Sequence, residues 1–386
     1  MYYTPLLSSY IDAMESESVD KWRTLHGVVP VRRPDGRVWC YIGGVAVVFK
    51  VRYQGRLHRL KCYITEKHNL RHIYGYKYYE SELYVEVPLG PPVWADVILD
   101  KWYEGDTLEE ELKLSPSFER IAELSEMFRT LAVELLSQEW AHGDIKPENI
   151  IVKDNRMELI DFDGLYSSTF SGCECEEGGT PGFQHPCRND MYAKEIDDYS
   201  IALLYAMLRA MIYDSSLSQR YYNDGTFIIS PYNLIFEGKD DGFDYVMSLL
   251  ARNCDIRAFR IGELLKSKEP ALPQLRELLS MKLVHRRSNE QLETYSCGNK
   301  WGFRDSQGIV IEPLFDLAFD FSEDVAAVKL GSSWCFIDRF ARLVIPCSEY
   351  EAVKPFNNGV AVVVKDGRRM KIDKSGNVVA ELLPVR

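Results

Sequence analysis

The sequence contains no apolar run close to the ~20 residues that a membrane-spanning helix needs. Its opening stretch, MYYTPLLSSYIDAMESESVDKW, has neither a basic leader nor a clean apolar segment, so a secretory signal is not expected. Low-complexity tracts are missing too, which leaves the composition of a globular chain. Cysteine is scarce and odd in number, with nine residues scattered over 386. That count argues against a disulfide framework and predicts reduced thiols in a cytoplasmic protein. Positive charge is also short: 46 basic residues stand against 58 acidic ones, for a net charge of −12. The deficit lies ahead of residue 282, because the remainder is close to neutral. Nucleic acid and anionic membrane are therefore not expected as main partners. Any polyphosphate site in such a chain has to create its own local positive field.

What the chain does contain falls into three regions, and its length allows two or three domains with real cores. Residues 1–26 read as a helical lead-in. Residues 27–102 are strand-rich: RVWCYIGGVAVVFKVRY, RLHRLKCYI, LYVEV and WADVILDKW are β-branched or aromatic runs broken by glycine and proline. A helix over 66–82 fits between them. Residues 105–275 are mainly helical. SFERIAELSEMFRTLAVELLSQ has apolar residues at three- and four-residue intervals. DDYSIALLYAMLRAMI is apolar nearly all round, the mark of a buried helix. KEPALP at 268–273 marks a boundary, and 276–297 reads as a linker.

The tail, 298–386, repeats. NKWGFRDSQGIVIEPLFDLAFDFSEDVAAV is echoed by SSWCFIDRFARLVIPCSEYEAVKPFNNGVAVV, with 33 residues from Trp301 to Trp334 and 35 from Phe321 to Phe356. RRMKIDKSGNVV, 368–379, begins a third, truncated copy. A fixed period with strand-like alternation predicts stacked β-units that bury a shared core. Pro313 and Pro346, which lack an N–H, are expected to end strand pairing.

One stretch, AHGDIKPENIIVKDNRMELIDFDGLY from Ala141 to Tyr166, carries residues that core packing would not choose. IIV and MELI read as strands with KDN as the turn. Loops flanking such a hairpin bring Asp144 and Asn149 near Asp161. Oxygen ligands around one small space suit Mg²⁺, which prefers one or two carboxylates plus phosphate oxygens. Lys146 can neutralise a phosphoryl group, and an Asp not committed to metal can orient a hydroxyl. That is the minimal set for phosphoryl transfer, which works by positioning and electrostatics. Capped turns of Asp and Asn are the ordinary alternative. The ordered spacing of His142, Asp144, Lys146, Asn149 and Asp161 argues against it.

HGDIKPEN resembles the catalytic loop H-R-D-x-K-x-x-N of the protein kinase superfamily, and DFD resembles D-F-G. The resemblance implies Asp144 as base, Lys146 as phosphate contact, and Asn149 and Asp161 as metal ligands. RLHRLKCYI resembles the strand that carries the ATP lysine, which implies Lys61. VAVVFK resembles the end of a glycine-rich loop, implying Gly43 in that loop and Val48 over the adenine. Tyr41 and Ala46 stand where the other two glycines belong. VILDKWYEG resembles the hinge, with Leu99 as gatekeeper and Asp100 to Trp102 along the adenine edge. GTPGFQHP, 179–186, resembles the end of an activation segment, with Cys187 in the place of its glutamate. DDYSIA, 197–202, resembles D-x-W-S-L-G, so that Asp197 braces the catalytic loop; a plain N-cap is the alternative. The resemblance covers 38–267.

The chain departs from the pattern at three points. Gly143 replaces the arginine that usually receives a phosphate, Asp163 replaces the glycine of D-F-G, and no helix glutamate can be placed opposite Lys61. KWGF, FSEDVAAV and FNNGVAVV resemble WG repeats over 298–380. The expected architecture is α+β: a bilobal kinase-like domain over 27–275, with a β-rich lobe at 27–102 and a helical lobe at 103–275. An all-β WG-repeat domain, 298–386, follows. The resemblance implies ATP- and Mg²⁺-dependent transfer to Ser or Thr of a protein substrate, with the repeats binding or sensing a further ligand. A pseudokinase scaffold is one alternative. A small-molecule phosphotransferase of the aminoglycoside type is another, although Lys146-Pro147-Glu148 and TPGFQHP are not expected there. Cys173, Cys175, His185 and Cys187 could supply four zinc ligands, but their spacing is not that of the usual zinc modules, and free thiols are expected.

Overall fold

The computed structural model describes residues 4–88, 90–170, 178–188, 193–224, 227–348 and 350–382. The chain mixes helix and sheet and divides into two compact units, Met1–Gly105 and Asp106–Arg386. Among the described residues no helix is long and apolar enough to cross a membrane.

The first unit holds α1 (Leu7–Glu15), β1 (Val29–Pro30), β2 (Cys40–Ile42), β3 (Ala46–Tyr53), β4 (Arg56–Tyr63), α2 (Leu70–Tyr74), β5 (Tyr78–Val85) and β6 (Val93–Lys101). The strands form one sheet in the order β1-β3-β4-β6-β5, with β2 also paired to β3. Alternation divides its faces. Val47, Phe49, Val51, Leu60, Cys62, Val97 and Leu99 pack with Tyr10 and Met14 of α1 and with Trp22. Ala46, Tyr63 and Ile98 pack with Leu70 and Tyr74 of α2. The helix expected over 66–82 is thus only five residues long, followed by a short 3₁₀ turn. Gly75, at φ 54°, stops it, and the aromatic pair Tyr78 and Tyr79 opens β5 instead.

The second unit begins with β7 (Asp106–Thr107), α3 (Leu108–Lys113), α4 (Phe118–Leu135), β8 (Ile150–Lys153) and β9 (Arg156–Leu159). It continues through α5 (Asp198–Tyr213), α6 (Ser216–Asp224), α7 (Asp241–Arg252), α8 (Ile256–Leu264) and α9 (Leu275–Ser280). Thr107 and Glu110 close a capping box on α3, and Ser117 caps α4. α5 is buried on almost every side, as its apolar sequence requires, and the other helices pack around it. The β8–β9 turn places Asp154 and Asn155 at φ 45° and 59°, a left-handed pair suited to a two-residue hairpin.

Three small antiparallel sheets complete this unit. The first holds β10 (Glu293–Cys297), β11 (Lys300–Asp305) and β12 (Gly308–Phe315). The second holds β13 (Leu317–Ala318), β14 (Ala326–Leu330), β15 (Ser333–Ile337) and β16 (Leu343–Ser348). The third holds β17 (Ala352–Val353), β18 (Ala361–Lys365), β19 (Arg368–Ile372) and β20 (Val378–Leu382). One face of the second sheet, with Val328, Leu330 and Ile337, joins the helical core. Its other face, with Trp334 and Phe336, packs on Ala361, Val363 and Ile372 of the third. Arg260 of α8 reaches the Leu314 carbonyl at 2.6 Å and Asp316 at 3.0 Å. Helices and sheets therefore share one core, and the break between units falls after Gly105.

One expectation about the tail changes. β12 runs through Pro313 and β16 through Pro346, because each proline falls where the ladder shifts register and no N–H is demanded. The third, truncated copy contributes two strands, β19 and β20, which complete the third sheet. Cysteine differs as well. Cys335 is disulfide-bonded, whereas Cys40, Cys62, Cys187, Cys254 and Cys297 are free. Cysteine number alone does not carry the inter-residue distances that decide bonding.

Candidate functional site

The β8–β9 hairpin organises the candidate site in the second unit. Ile150 pairs with Leu159, and one step further out the Ile160 N–H donates to the Asn149 carbonyl at 2.9 Å. Asn149 thereby lies beside the segment that continues into Asp161, as the flanking-loop reading requires. Asp161 adopts φ 65°, a left-handed conformation that aspartate tolerates at a cost and that clusters at functional sites.

Asp144 stands at the centre of the polar network. Its Oδ1 accepts from the Thr180 N–H at 2.7 Å, and its Oδ2 accepts from Asn149 Nδ2 at 3.1 Å. Lys146 Nζ lies 3.0 Å from Oδ2 and donates to Thr180 Oγ1 at 2.9 Å. Asn149 Nδ2 also donates to the Asp144 carbonyl at 2.9 Å, so its amide is oriented by donation. Its carbonyl oxygen takes no part in these two bonds. The Asp144 and Lys146 side chains keep 14% and 23% of their exposure, enough for a substrate to reach them.

The loop ahead of Asp144 is fastened from below. Buried Asp197 accepts from the His142 N–H at 2.5 Å and from the Gly143 N–H at 2.8 Å. The N-cap alternative fails, since its side chain makes no cap bond to α5. Burial raises the Asp197 carboxyl above its ordinary value, against the pull of His142 and the two amides. His142 accepts at Nδ1 from the Asp144 N–H and donates at Nε2 to the Ile160 carbonyl at 2.9 Å, which assigns its tautomer. Thr180 and Arg188 are partners that the motif reading did not single out. The 179–186 segment contained Thr180, and nothing in the sequence pointed to Arg188.

The zinc reading finds no support on the described side. His185 has both ring nitrogens engaged, with the Cys187 N–H and the Ser267 carbonyl, each at 3.0 Å. Cys173 and Cys175 lie outside the described residues.

In the first unit, Lys61 is buried on β4, paired across the sheet with Val48 on one side and Ile98 on the other. Its Nζ lies 5.1 Å from the Tyr63 ring centroid. Gly43 forms the β2–β3 turn, donating its N–H to the Ala46 carbonyl at 2.9 Å. Leu99 pairs with Leu60 and points into the opposite core, so the gatekeeper role does not fall to it; Ile98 is on the Lys61 face. The Asp100 carboxylate pairs with Arg59 at 2.9 Å and Lys77 at 3.0 Å. Burial opposes its charge, yet the two cations hold its carboxyl below the ordinary value. The Trp102 ring packs edge-on to Trp39 with Lys50 Nζ 4.4 Å above it, and the Trp102 backbone N–H donates to the Leu57 carbonyl. α2, LRHIY, offers no carboxylate for Lys61, and Glu80 pairs with Arg71 at 2.5 Å on the surface.

A family model described as WG containing repeat matches residues 301–334 and 334–368. The C-terminal sheets carry WG repeats. Each matched stretch starts at the tryptophan of one sheet and runs into the corresponding strand of the next, so the repeat frame is offset from the sheet frame. No curated protein matches the chain.

Proposed function

We propose that the chain transfers the terminal phosphoryl group of ATP, with Mg²⁺, to Ser or Thr of a protein substrate. In this reading the WG repeats bind or sense a further ligand. The observation that carries it is the Asp144 carboxylate, flanked by the Lys146 ammonium and oriented by Asn149 and Thr180. In this reading Asn149 and Asp161, both in the second unit, offer the hard oxygens that Mg²⁺ prefers, and Lys61 is assigned to phosphate by the resemblance alone. Val48 and Gly43 belong to the same sheet face and turn. Bound Mg-ATP supplies the electrophilic phosphoryl group and screens its charge. Asp144 then orients the acceptor hydroxyl and takes its proton, while Lys146 neutralises charge beside it. A protein acceptor, rather than nucleic acid, suits a chain of net charge −12.

A scaffold that does not catalyse is the second reading, because Asp163 stands in the place of the D-F-G glycine and Tyr41 and Ala46 stand where two loop glycines belong. Incubation with labelled ATP, Mg²⁺ and dephosphorylated casein separates the two, since transfer lost on Asp144→Asn supports the enzyme. ATP at a hundred times its Kd should also stabilise the fold by ~2.7 kcal/mol. Absence of both transfer and stabilisation, with Mg²⁺ or Mn²⁺, leaves the scaffold.

A further inference from the structure

Gly143 has no side chain with which to hold the loop that leads into Asp144, so the loop is held entirely by its neighbours. The His142 and Gly143 N–H groups go to Asp197. The Gly143 carbonyl, on the other side, accepts from Arg188 Nη1 at 2.7 Å. The same Nη1 donates to Gln184 Oε1 at 2.7 Å, and Gln184 Nε2 reaches the Gly143 carbonyl at 3.5 Å. The peptides on both sides of Gly143 are thus pinned. The second of them is the planar unit that enters Asp144, and its orientation sets the direction in which the Asp144 side chain leaves the backbone. Arg188 also opposes the charge of the buried Asp197 carboxylate, so one cation serves both ends of the clamp.

We infer that Arg188 is a positioning residue for Asp144, and that this tie within the chain organises the loop that leads into it. The inference rests on the proposed phosphoryl transfer and adds what holds its loop in place. The H-R-D pattern uses an arginine in the loop to receive a phosphate from outside it. Here the arginine stands outside the loop and takes a backbone carbonyl within it. The guanidinium suits the task because one nitrogen carries two N–H groups at fixed angles, one for Gly143 and one for Gln184. A lysine could keep the charge but not that geometry.

The full chain is to be compared with Arg188→Ala and Arg188→Lys, using labelled ATP, Mg²⁺ and dephosphorylated casein. The expected result is a kcat lower by ~100-fold in the alanine variant and by ~10-fold in the lysine variant, with KM for ATP within about twofold. Backbone amides of 142–145 should exchange hydrogen faster in both, while α4 and α5 stay protected. Unchanged kcat in either variant overturns the inference. If the alanine variant does not fold, the lysine variant decides. If the parent itself transfers no phosphate, the proposed function has failed, and amide exchange alone judges the clamp: unaltered exchange at 142–145 removes it.

Discussion

The backbone of Gly143 packs directly on that of Gly164: a β-carbon at position 143 would lie 2.0 Å from the Gly164 carbonyl oxygen. Gly143 also holds φ 87°. Both facts forbid a side chain, so the arginine of the H-R-D pattern cannot be restored by substitution. Gly143→Ala should lose roughly 3 kcal/mol, from left-handed strain plus overpacking. Urea denaturation measures this, and a variant as stable as the parent would show that the two glycines do not approach in solution.

Asp144→Asn should abolish most transfer while sparing the fold. The amide oxygen can still accept from the Thr180 N–H, but the amide NH₂ then faces the Asn149 amide and the Lys146 ammonium, so the melting temperature should fall by only a few degrees. A proton acceptor is lost, and the rate should fall by about a hundredfold or more. Steady-state transfer and thermal melting of the same preparation check both halves. A large drop in melting temperature would assign Asp144 to structure instead.

Asp198, at the start of α5, makes stability depend on pH. Its carboxylate accepts from the Leu272 N–H at 2.7 Å and lies near Glu195 and Asp197. Burial pushes its pKa up to about 7 from 3.8, with the two neighbouring acids adding to the rise. The folded protein therefore holds a proton that the unfolded chain has released between these two values. Stability from this group falls as pH rises through that window and is flat above it, by roughly 4 kcal/mol at most. Asp198→Asn should be the more stable protein at pH 8, with its advantage vanishing near pH 4. Urea midpoints across that range test the sign, and a constant difference would refute it.

The WG repeats should not separate from the helices. Arg260 is buried, and its bonds to Leu314 and Asp316 tie α8 to the first two sheets. Lys300 joins Asp316 at 2.6 Å, and Gly331 leaves room for the Phe259 ring. Ending the chain after Met281 would expose Ala258, Phe259 and Ile261, so that product should aggregate. Arg260→Ala should cost roughly 3 kcal/mol, because Asp316 loses a buried partner. A soluble, cooperatively melting 1–281 fragment would contradict this.

Local chemistry was legible in the sequence, and long-range burial was not. The hairpin at 150–159 could be read because Asp154 and Asn155 tolerate left-handed backbone. α5 was visible from its unbroken apolar character, and the bracing role of Asp197 from its motif. The direction of Leu99 was missed because a one-residue offset on a strand reverses the face, and only pairing with Leu60 fixes it. The prolines misled because a bulge is a property of two strands. The duties of Asp100 and Trp102 depend on Arg59, Lys77, Trp39 and Lys50, which come from other strands or segments. The supposed linker at 276–297 gave no hint that Leu292 is buried in a core shared with α7 and α8.

The staggering of repeats against sheets has a genealogical consequence. A duplication of one 33-residue period inserts two half-sheets that each find a waiting counterpart, so the array can lengthen without a misfit at the joint. A deletion of anything other than a whole period strands an unpaired edge. Copy number is free to drift among descendants of such a chain so long as each addition carries both half-sheets.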